Sequence, residues 1–199
     1  FDIVIGDVMG KGVPAALLGA GVKSRLLRAV NSLLTAHANV TLPPPAEIIN
    51  FVNHEITPEL IDLESFITAC YARFDVASRT MTLVDCGHVP TLLLPRGTAD
   101  ISEFKPGNVP LGFLEDETYE ETTYSFDTHD LIFFYSDGVT EAQGHDGSLF
   151  GDERLRQCLA DTAGCSPRRL LGTLVERLVD FTGGRVCQDD VTCLAIKMS

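Results

Sequence analysis

Apolar residues recur at a helical spacing in the first third of the chain. The repeating positions are Leu18, Val22, Leu26, Val30 and Leu33, widened by Leu27 and Leu34. Residues three or four positions apart share one face of a helix, so this pattern predicts an amphipathic helix from residue 14 to about residue 37. Three prolines at 43–45 then interrupt the chain, and a second amphipathic helix is predicted from about residue 46 to residue 54.

The middle of the chain changes to short runs rich in β-branched and aromatic residues. These runs predict strands at 66–75, 80–86, 91–94, 118–126 and 131–135, with a long Pro/Gly-rich loop at 96–112. Helices are predicted at 152–161 and 167–181, and a last strand at 191–198. Helices therefore flank a block of hairpin-connected strands, which favours a single α+β domain over residues 1–199 with mainly antiparallel sheet.

Composition narrows the class of protein. The chain has 199 residues and a net charge of −13, which argues against a nucleic-acid-binding surface and suits a protein that gathers divalent cations. No apolar run approaches the roughly 18 residues of a membrane span. The six cysteines form no C-x-x-C pair, so we expect reduced thiols and a cytoplasmic location. The first residue already lies in an apparent strand, and we expect that the chain begins partway into its domain.

The segment "IGDVMGKGV" at residues 5–13 raises three alternatives: a phosphate loop, a metal-binding turn or a simple bend. A P-loop needs four residues between its first two glycines and a Ser or Thr after the lysine. Here three residues separate Gly6 from Gly10, and Gly12 occupies the hydroxyl position, so nucleotide binding is disfavoured. What remains is an acid, Asp7, at the end of a strand predicted at 1–5 and before a turn and a helix.

Two further acidic sites share this setting. Asp137 ends the predicted strand 131–135 and precedes a glycine, and Asp189-Asp190 precedes the last strand. Each acid alone is typical of a turn, but three at strand ends can converge on one edge of a sheet. Short carboxylates on rigid strands are ligands that Mg²⁺ or Mn²⁺ prefers.

The histidines indicate no competing zinc site. They are scattered, and Pro58 replaces the second histidine of an H-E-x-x-H pattern that starts at His54. His88, in the segment Cys86-Gly87-His88-Val89-Pro90, is interpreted as a turn residue.

Six motifs in order resemble one family: "GDVMGKGVPAALL" at 6–18, "CGHVPTLLL" at 86–94, "VPLG" at 109–112, "YSDGVTEA" at 135–142, "FGDERL" at 150–155 and "QDDVTCLAI" at 188–196. Together they are similar to the metal-dependent type 2C protein phosphatases, in the bacterial branch that regulates sigma factors and sporulation. The resemblance implies two antiparallel sheets stacked face to face with helices outside. It also implies an acidic strand upstream of Asp7, which this sequence does not contain.

The resemblance also implies a site for two Mn²⁺ or Mg²⁺ ions. Asp7 would bridge the ions, Asp137 and Asp189 would complete the first metal position, and the Val8 carbonyl would serve the second. Asp190 would lie next to these ligands. The implied reaction is hydrolysis of phosphoserine or phosphothreonine by a metal-activated water. Eukaryotic members carry a histidine at the position of Met9, so no side-chain general acid is expected there.

The implied substrate is a phosphorylated regulatory protein, an antagonist of an anti-sigma factor. The resemblance is also compatible with an N-terminal sensor or receiver domain and with a homodimer. We further expect the two N-terminal helices to form a regulatory or dimer surface, because they connect directly to Asp7. The alternative is a catalytically inactive relative that serves as a binding or dimerisation module.

Overall fold

Eight strands and four α-helices are formed by the residues that the structure, a computed structural model, describes: 1–36, 42–98, 100–105, 107–185 and 189–199. In chain order they are β1 (Asp2–Val8), α1 (Val13–Ala36), α2 (Pro45–Asp62), β2 (Ile67–Asp75), β3 (Thr80–Cys86), β4 (Thr91–Leu94), β5 (Ser102–Phe104), β6 (Thr122–Ser125), β7 (Leu131–Tyr135), α3 (Gly151–Asp161), α4 (Pro167–Thr182) and β8 (Cys193–Lys197). All strand pairs within the two four-stranded sheets are antiparallel. The α+β class with two antiparallel sheets and four helices is thereby confirmed.

The first of two compact units comprises Phe1–His88 and Pro106–Ser125. Its sheet has the strand order β1-β2-β3-β6. The apolar stripe of α1 packs, as predicted, on a core that α2 and one face of the sheet supply, and Ala29 of α1 is fully buried there. Leu27, one of the two residues that widen the predicted stripe, is 61% exposed.

Ion pairs join the two helices of this unit. Arg25 contacts Glu59 and Arg28 contacts Glu55, each with 2.5 Å between guanidinium nitrogen and carboxylate oxygen. Two arginines on the polar face of α1 therefore form ion pairs with α2.

The second unit comprises Val89–Lys105 and Phe126–Ser199, with the strand order β5-β4-β7-β8. Its core lies between this sheet and the apolar faces of α3 and α4, where Phe133, Leu155, Leu170 and Leu174 are buried. The helix α4 begins at a side-chain cap, in which the Ser166 hydroxyl accepts a hydrogen bond from the Arg169 amide.

The predicted end of the second helix is wrong. The helix α2 continues through Pro58 to Asp62, although proline removes one backbone hydrogen bond. Ile56, Thr57 and Leu60 are buried on this extension, and the Thr57 hydroxyl donates to the Asn53 carbonyl. Burial of these side chains offsets the cost of the proline. This stabilisation comes from tertiary packing, so local helix signals do not predict it.

Other boundaries also differ from the sequence-based prediction. The strand β1 runs to Val8 rather than to residue 5, and β6 and β8 are shorter than predicted. The predicted loop 96–112 contains the short strand β5, and its other end is tied to β2 by two backbone hydrogen bonds between Leu111 and Ile67. His37, at the predicted end of α1, lies outside the described residues.

No helix among the described residues is long and apolar enough to cross a membrane. Five of the six cysteines form no disulfide bond with another described residue, and Cys187 lies outside the described residues.

Candidate functional site

Asp137 is placed by a fully buried strand. Every residue of β7, Leu131-Ile132-Phe133-Phe134-Tyr135, is buried, so the strand is held on both faces. A short 3-10 turn follows at Asp137–Val139, and the Asp137 carbonyl accepts hydrogen bonds from the Glu141 amide and the Thr140 hydroxyl. The half-buried Asp137 side chain therefore sits on a rigid strand end, as predicted.

Ser136 joins this strand end to the segment that carries Asp189 and Asp190. Its hydroxyl donates to the Asp190 carbonyl at 2.8 Å and accepts from the Thr192 amide at 2.9 Å. Its own amide donates to the Thr192 carbonyl at 3.0 Å. Three hydrogen bonds thus extend the β7–β8 pairing beyond Tyr135–Cys193 and bring the two acidic segments together.

Gly138 lets the two segments approach closely. A Cβ atom at this position would lie 2.4 Å from the Asp190 carbonyl oxygen, inside van der Waals contact. Only glycine fits against this backbone, so packing requires the glycine of "DG" here. The Asp189 carboxylate accepts a hydrogen bond from the Asp190 amide, which fixes it locally.

Asp7 and Val8 lie in the first unit, on the last two positions of β1. They pair with Thr68 and Ile67 of β2, and the Met9 amide continues the ladder by donating to the Phe66 carbonyl at 3.0 Å. Both residues are half-buried.

The bend after this strand depends on two glycines. Gly10 and Gly12 have φ angles of +106° and +79°, which side chains other than glycine rarely adopt. The sequence "GDVMGKG" therefore forms a strand end, a tight bend and a helix start.

His88 lies beside the residue that pairs with Asp7. Its ring nitrogen Nδ1 is 3.1 Å from the Thr68 hydroxyl oxygen, and only 4% of its surface is exposed. Its amide donates to the Asp85 carboxylate at 3.0 Å, consistent with the predicted turn role. The side-chain contact with Thr68 was not predicted.

Cys86, Tyr135 and Cys193 stay protonated at neutral pH. Burial raises the pKa of the Cys193 thiol to about 11, and burial, together with the charge of Asp152, raises the pKa of Tyr135 to about 12. Burial and the charges of Asp85 and Cys70 raise the pKa of Cys86 well above its ordinary value. These groups are therefore poor nucleophiles, since attack requires the thiolate or phenolate.

The carboxylates suit a hard divalent cation by their chemistry, but the described residues hold no group of three or more His, Cys, Asp or Glu side chains gathered tightly enough to bind one. The structure brings Asp137 together with Asp189 and Asp190 in the second unit, and it places Asp7 and Val8 side by side in the first. Asp190 is exposed, whereas Asp137 and Asp189 are half-buried. The metal roles of these residues stay predictions.

Ser136 and Thr68 were not predicted from the sequence. Ser136 precedes the acid of "SDG", which is a weak signal, because serine is common in turns. Thr68 carries no local signal at all, since its place opposite Asp7 depends on the pairing of two strands that are distant in sequence.

Comparison with known proteins places this arrangement in a family. The model of the stage II sporulation protein E (SpoIIE) family matches residues 1–199. The phosphoserine phosphatase RsbU of Bacillus subtilis is 24% identical over 196 residues, which are 98% of this chain and 55% of RsbU. The protein IcfG of Synechocystis is 26% identical over 98% of this chain and 33% of that protein. The chain thus spans about half or less of the length of these relatives.

Solved structures agree in fold. The SiaA-PP2C domain of Pseudomonas aeruginosa superposes with a TM-score of 0.84 at 21% identity, over 100% of this chain and 76% of that one. The RsbU and RsbW domains of Rv1364c from Mycobacterium tuberculosis give a TM-score of 0.72 at 28% identity, over 98% and 50% of the two chains. With a family match along its whole length, the chain belongs to the stage II sporulation protein E (SpoIIE) family.

Proposed function

We propose that this chain is the catalytic domain of a metal-dependent protein serine/threonine phosphatase. The observation that carries the proposal is the meeting of Asp137 with the Asp189-Asp190 segment through Ser136 and Gly138, in a chain of the SpoIIE family. RsbU is named as a phosphoserine phosphatase, which supports the same reaction for this chain.

The metal ligands in this proposal are Asp7, the Val8 carbonyl, Asp137 and Asp189. Two Mn²⁺ or Mg²⁺ ions would supply an activated water and charge neutralisation at the phosphoryl group. Ser136 holds the Asp189-Asp190 segment against the end of β7, so Asp137 and Asp189 are kept in fixed relation. Because the Cys193 thiol and the Tyr135 hydroxyl stay protonated at neutral pH, neither competes as a nucleophile.

The proposed substrate is phosphoserine or phosphothreonine on a regulatory protein, specifically an antagonist of an anti-sigma factor. An N-terminal sensor or receiver domain is part of the proposal, because the chain covers 55% of RsbU and 33% of IcfG. Homodimerisation and a cytoplasmic location stay predictions. The alternative is an inactive binding or dimerisation module.

The test measures phosphate release from a phosphoserine protein by the full-length protein, with Mn²⁺, with Mg²⁺ and after chelation. We expect activity only with metal, and losses of about 100-fold or more for Asp7→Asn, Asp137→Asn and Asp189→Asn, since each variant keeps its shape but loses its charge. Asp190→Asn should lose less than Asp189→Asn.

Asp161→Asn is the matched control, because Asp161 lies on α3 and pairs with Arg177 instead. It should keep full activity. A wild-type protein that releases no phosphate with either metal would support the inactive module, and full activity in any of the three ligand variants would remove that residue from the site.

A further inference from the structure

Two neighbouring rows of residues cross three segments of the first unit at the level of Asp7. Gly6 pairs with Ala69 of β2, and Ala69 in turn bridges Gly87. One position along, Asp7 pairs with Thr68, and the Thr68 hydroxyl contacts the His88 ring at 3.1 Å. The residues Asp7, Thr68 and His88 therefore form a row across adjacent segments.

The row places the Thr68 side chain on the same face of the sheet as the Asp7 side chain. Residues directly opposite in an antiparallel pair point to the same face, with Cβ atoms about 4.5–5.5 Å apart. Threonine and aspartate are both short, and their strand pairing puts the two side chains next to each other on one face of the sheet.

His88 is itself held firmly. Its amide is bonded to the buried Asp85 carboxylate, which also accepts from the Gly107 amide at 3.4 Å. The Asn108 amide group donates to the Asp85 carbonyl at 3.0 Å. With 4% of its surface exposed, the ring of His88 has little freedom to leave Thr68.

We propose that Thr68 and His88 are a positioning pair for Asp7. His88 donates its Nδ1 hydrogen to the Thr68 oxygen, which leaves the single hydroxyl hydrogen of Thr68 to be donated toward the Asp7 carboxylate. This inference rests on the proposed function, in which Asp7 binds metal. Groups that orient a metal ligand in this way are worth about 10–100-fold in metal affinity.

The experiment measures Mn²⁺ affinity by titration calorimetry and thermal stability on the full-length protein. Thr68→Val keeps the shape of threonine but removes the hydroxyl, and should weaken Mn²⁺ binding about 10–100-fold with little change in the unfolding temperature. Thr68→Ser keeps the hydroxyl and should bind nearly as the wild type does.

The two residues should behave as one unit. His88→Leu should weaken Mn²⁺ binding as Thr68→Val does, and the double variant should lose little more, because both changes break the same interaction. His88→Asn should recover part of the affinity, since its amide nitrogen occupies the place of Nδ1. Nitrogen NMR of the wild type should show the His88 ring protonated at Nδ1.

Thr82→Val is the matched control. Like the Thr68 hydroxyl, the Thr82 hydroxyl contacts a side chain on a neighbouring segment, in this case the Thr123 hydroxyl at 3.1 Å. Removal of the Thr82 hydroxyl should leave Mn²⁺ affinity unchanged. If Thr68→Val binds Mn²⁺ with wild-type affinity, the positioning pair is overturned, whereas the phosphatase proposal is unaffected. Because Thr68→Val is interpreted independently, this test of the pair remains valid even if His88→Leu fails to fold. A wild-type protein that binds no Mn²⁺ overturns the proposed function, and the positioning pair with it.

Discussion

At the end of β7, the Asp190 carbonyl oxygen lies where a side chain of residue 138 would begin. The hydroxyl of Ser136 and the absent side chain of Gly138 together set the distance between two acidic segments. The position of the candidate ligands thus depends on two residues that carry no charge.

Gly138→Ala tests this dependence. The added methyl group would overlap the Asp190 backbone, so we expect a loss of about 1–3 kcal/mol in the free energy of unfolding. Metal-dependent activity should fall together with stability, because Asp189 and Asp190 must move. Urea unfolding and phosphate release measure the two effects.

Gly172→Ala provides the control for this variant. Gly172 lies within α4 with nothing near its missing side chain, so alanine should stabilise the helix by up to about 1 kcal/mol without affecting activity. Equal stability of the two variants would contradict the packing role of Gly138.

At the scale of elements, α1 and α2 are joined by charge as well as by their apolar faces. Arg28 of α1 contacts Glu55 of α2, and Arg25 contacts Glu59. Because α1 follows the bend after Asp7, the prediction that these helices form a regulatory surface can be tested at the contact between them.

Arg28→Glu places two carboxylates together across the α1–α2 contact. Exposed pairs of this kind contribute up to about 1 kcal/mol, so stability should fall by a similar amount. If the helices regulate the site, Mn²⁺ affinity should change as well, and the swapped pair Arg28→Glu with Glu55→Arg should restore both. Unchanged affinity and turnover, with and without the native activator, would show that the helices are only scaffold.

The sequence predicted elements well where the pattern is local. The α1 stripe, the strands β3, β4 and β7, and the helix α4 follow from spacing and from turn residues. The extension of α2 through Pro58 could not be predicted, because burial of Ile56 and Leu60 by the rest of the unit stabilises it. In the site, the acids were evident from their strand-end positions, whereas Ser136 and Thr68 become evident only from strand pairing.

At the scale of the whole molecule, several buried groups favour their neutral forms. The pKa values of Cys193 and Tyr135, at about 11 and about 12, lie above the ordinary values of these side chains. Cys86 and Cys158 shift in the same direction, chiefly through burial. Ionisation of these groups therefore favours the unfolded chain.

Stability should consequently fall at alkaline pH. A group whose folded pKa is raised stabilises fully below its unfolded pKa, and this contribution is lost as the pH rises toward the folded value. We expect the free energy of unfolding to decline from about pH 9 to about pH 12. Urea unfolding at successive pH values measures the decline, and Cys193→Ala should reduce its slope. A free energy of unfolding that is constant or rises over this pH range would contradict the raised pKa values of these side chains.

The pairing of the acid-bearing strands also bears on the order in which the chain folds. Asp7 pairs with Thr68 and Tyr135 with Cys193, whereas Asp75 pairs with Thr80 across a short turn. Closing a long loop costs more entropy than closing a short one. The β2–β3 hairpin should therefore form before the folding transition state, and the strand pairs that carry the acids should form after it. Asp75→Ala, which removes a carboxylate that caps the hairpin turn, should therefore slow refolding. Ser136→Ala should instead speed unfolding and leave the refolding rate nearly unchanged, so that the acidic segments come together last and separate first.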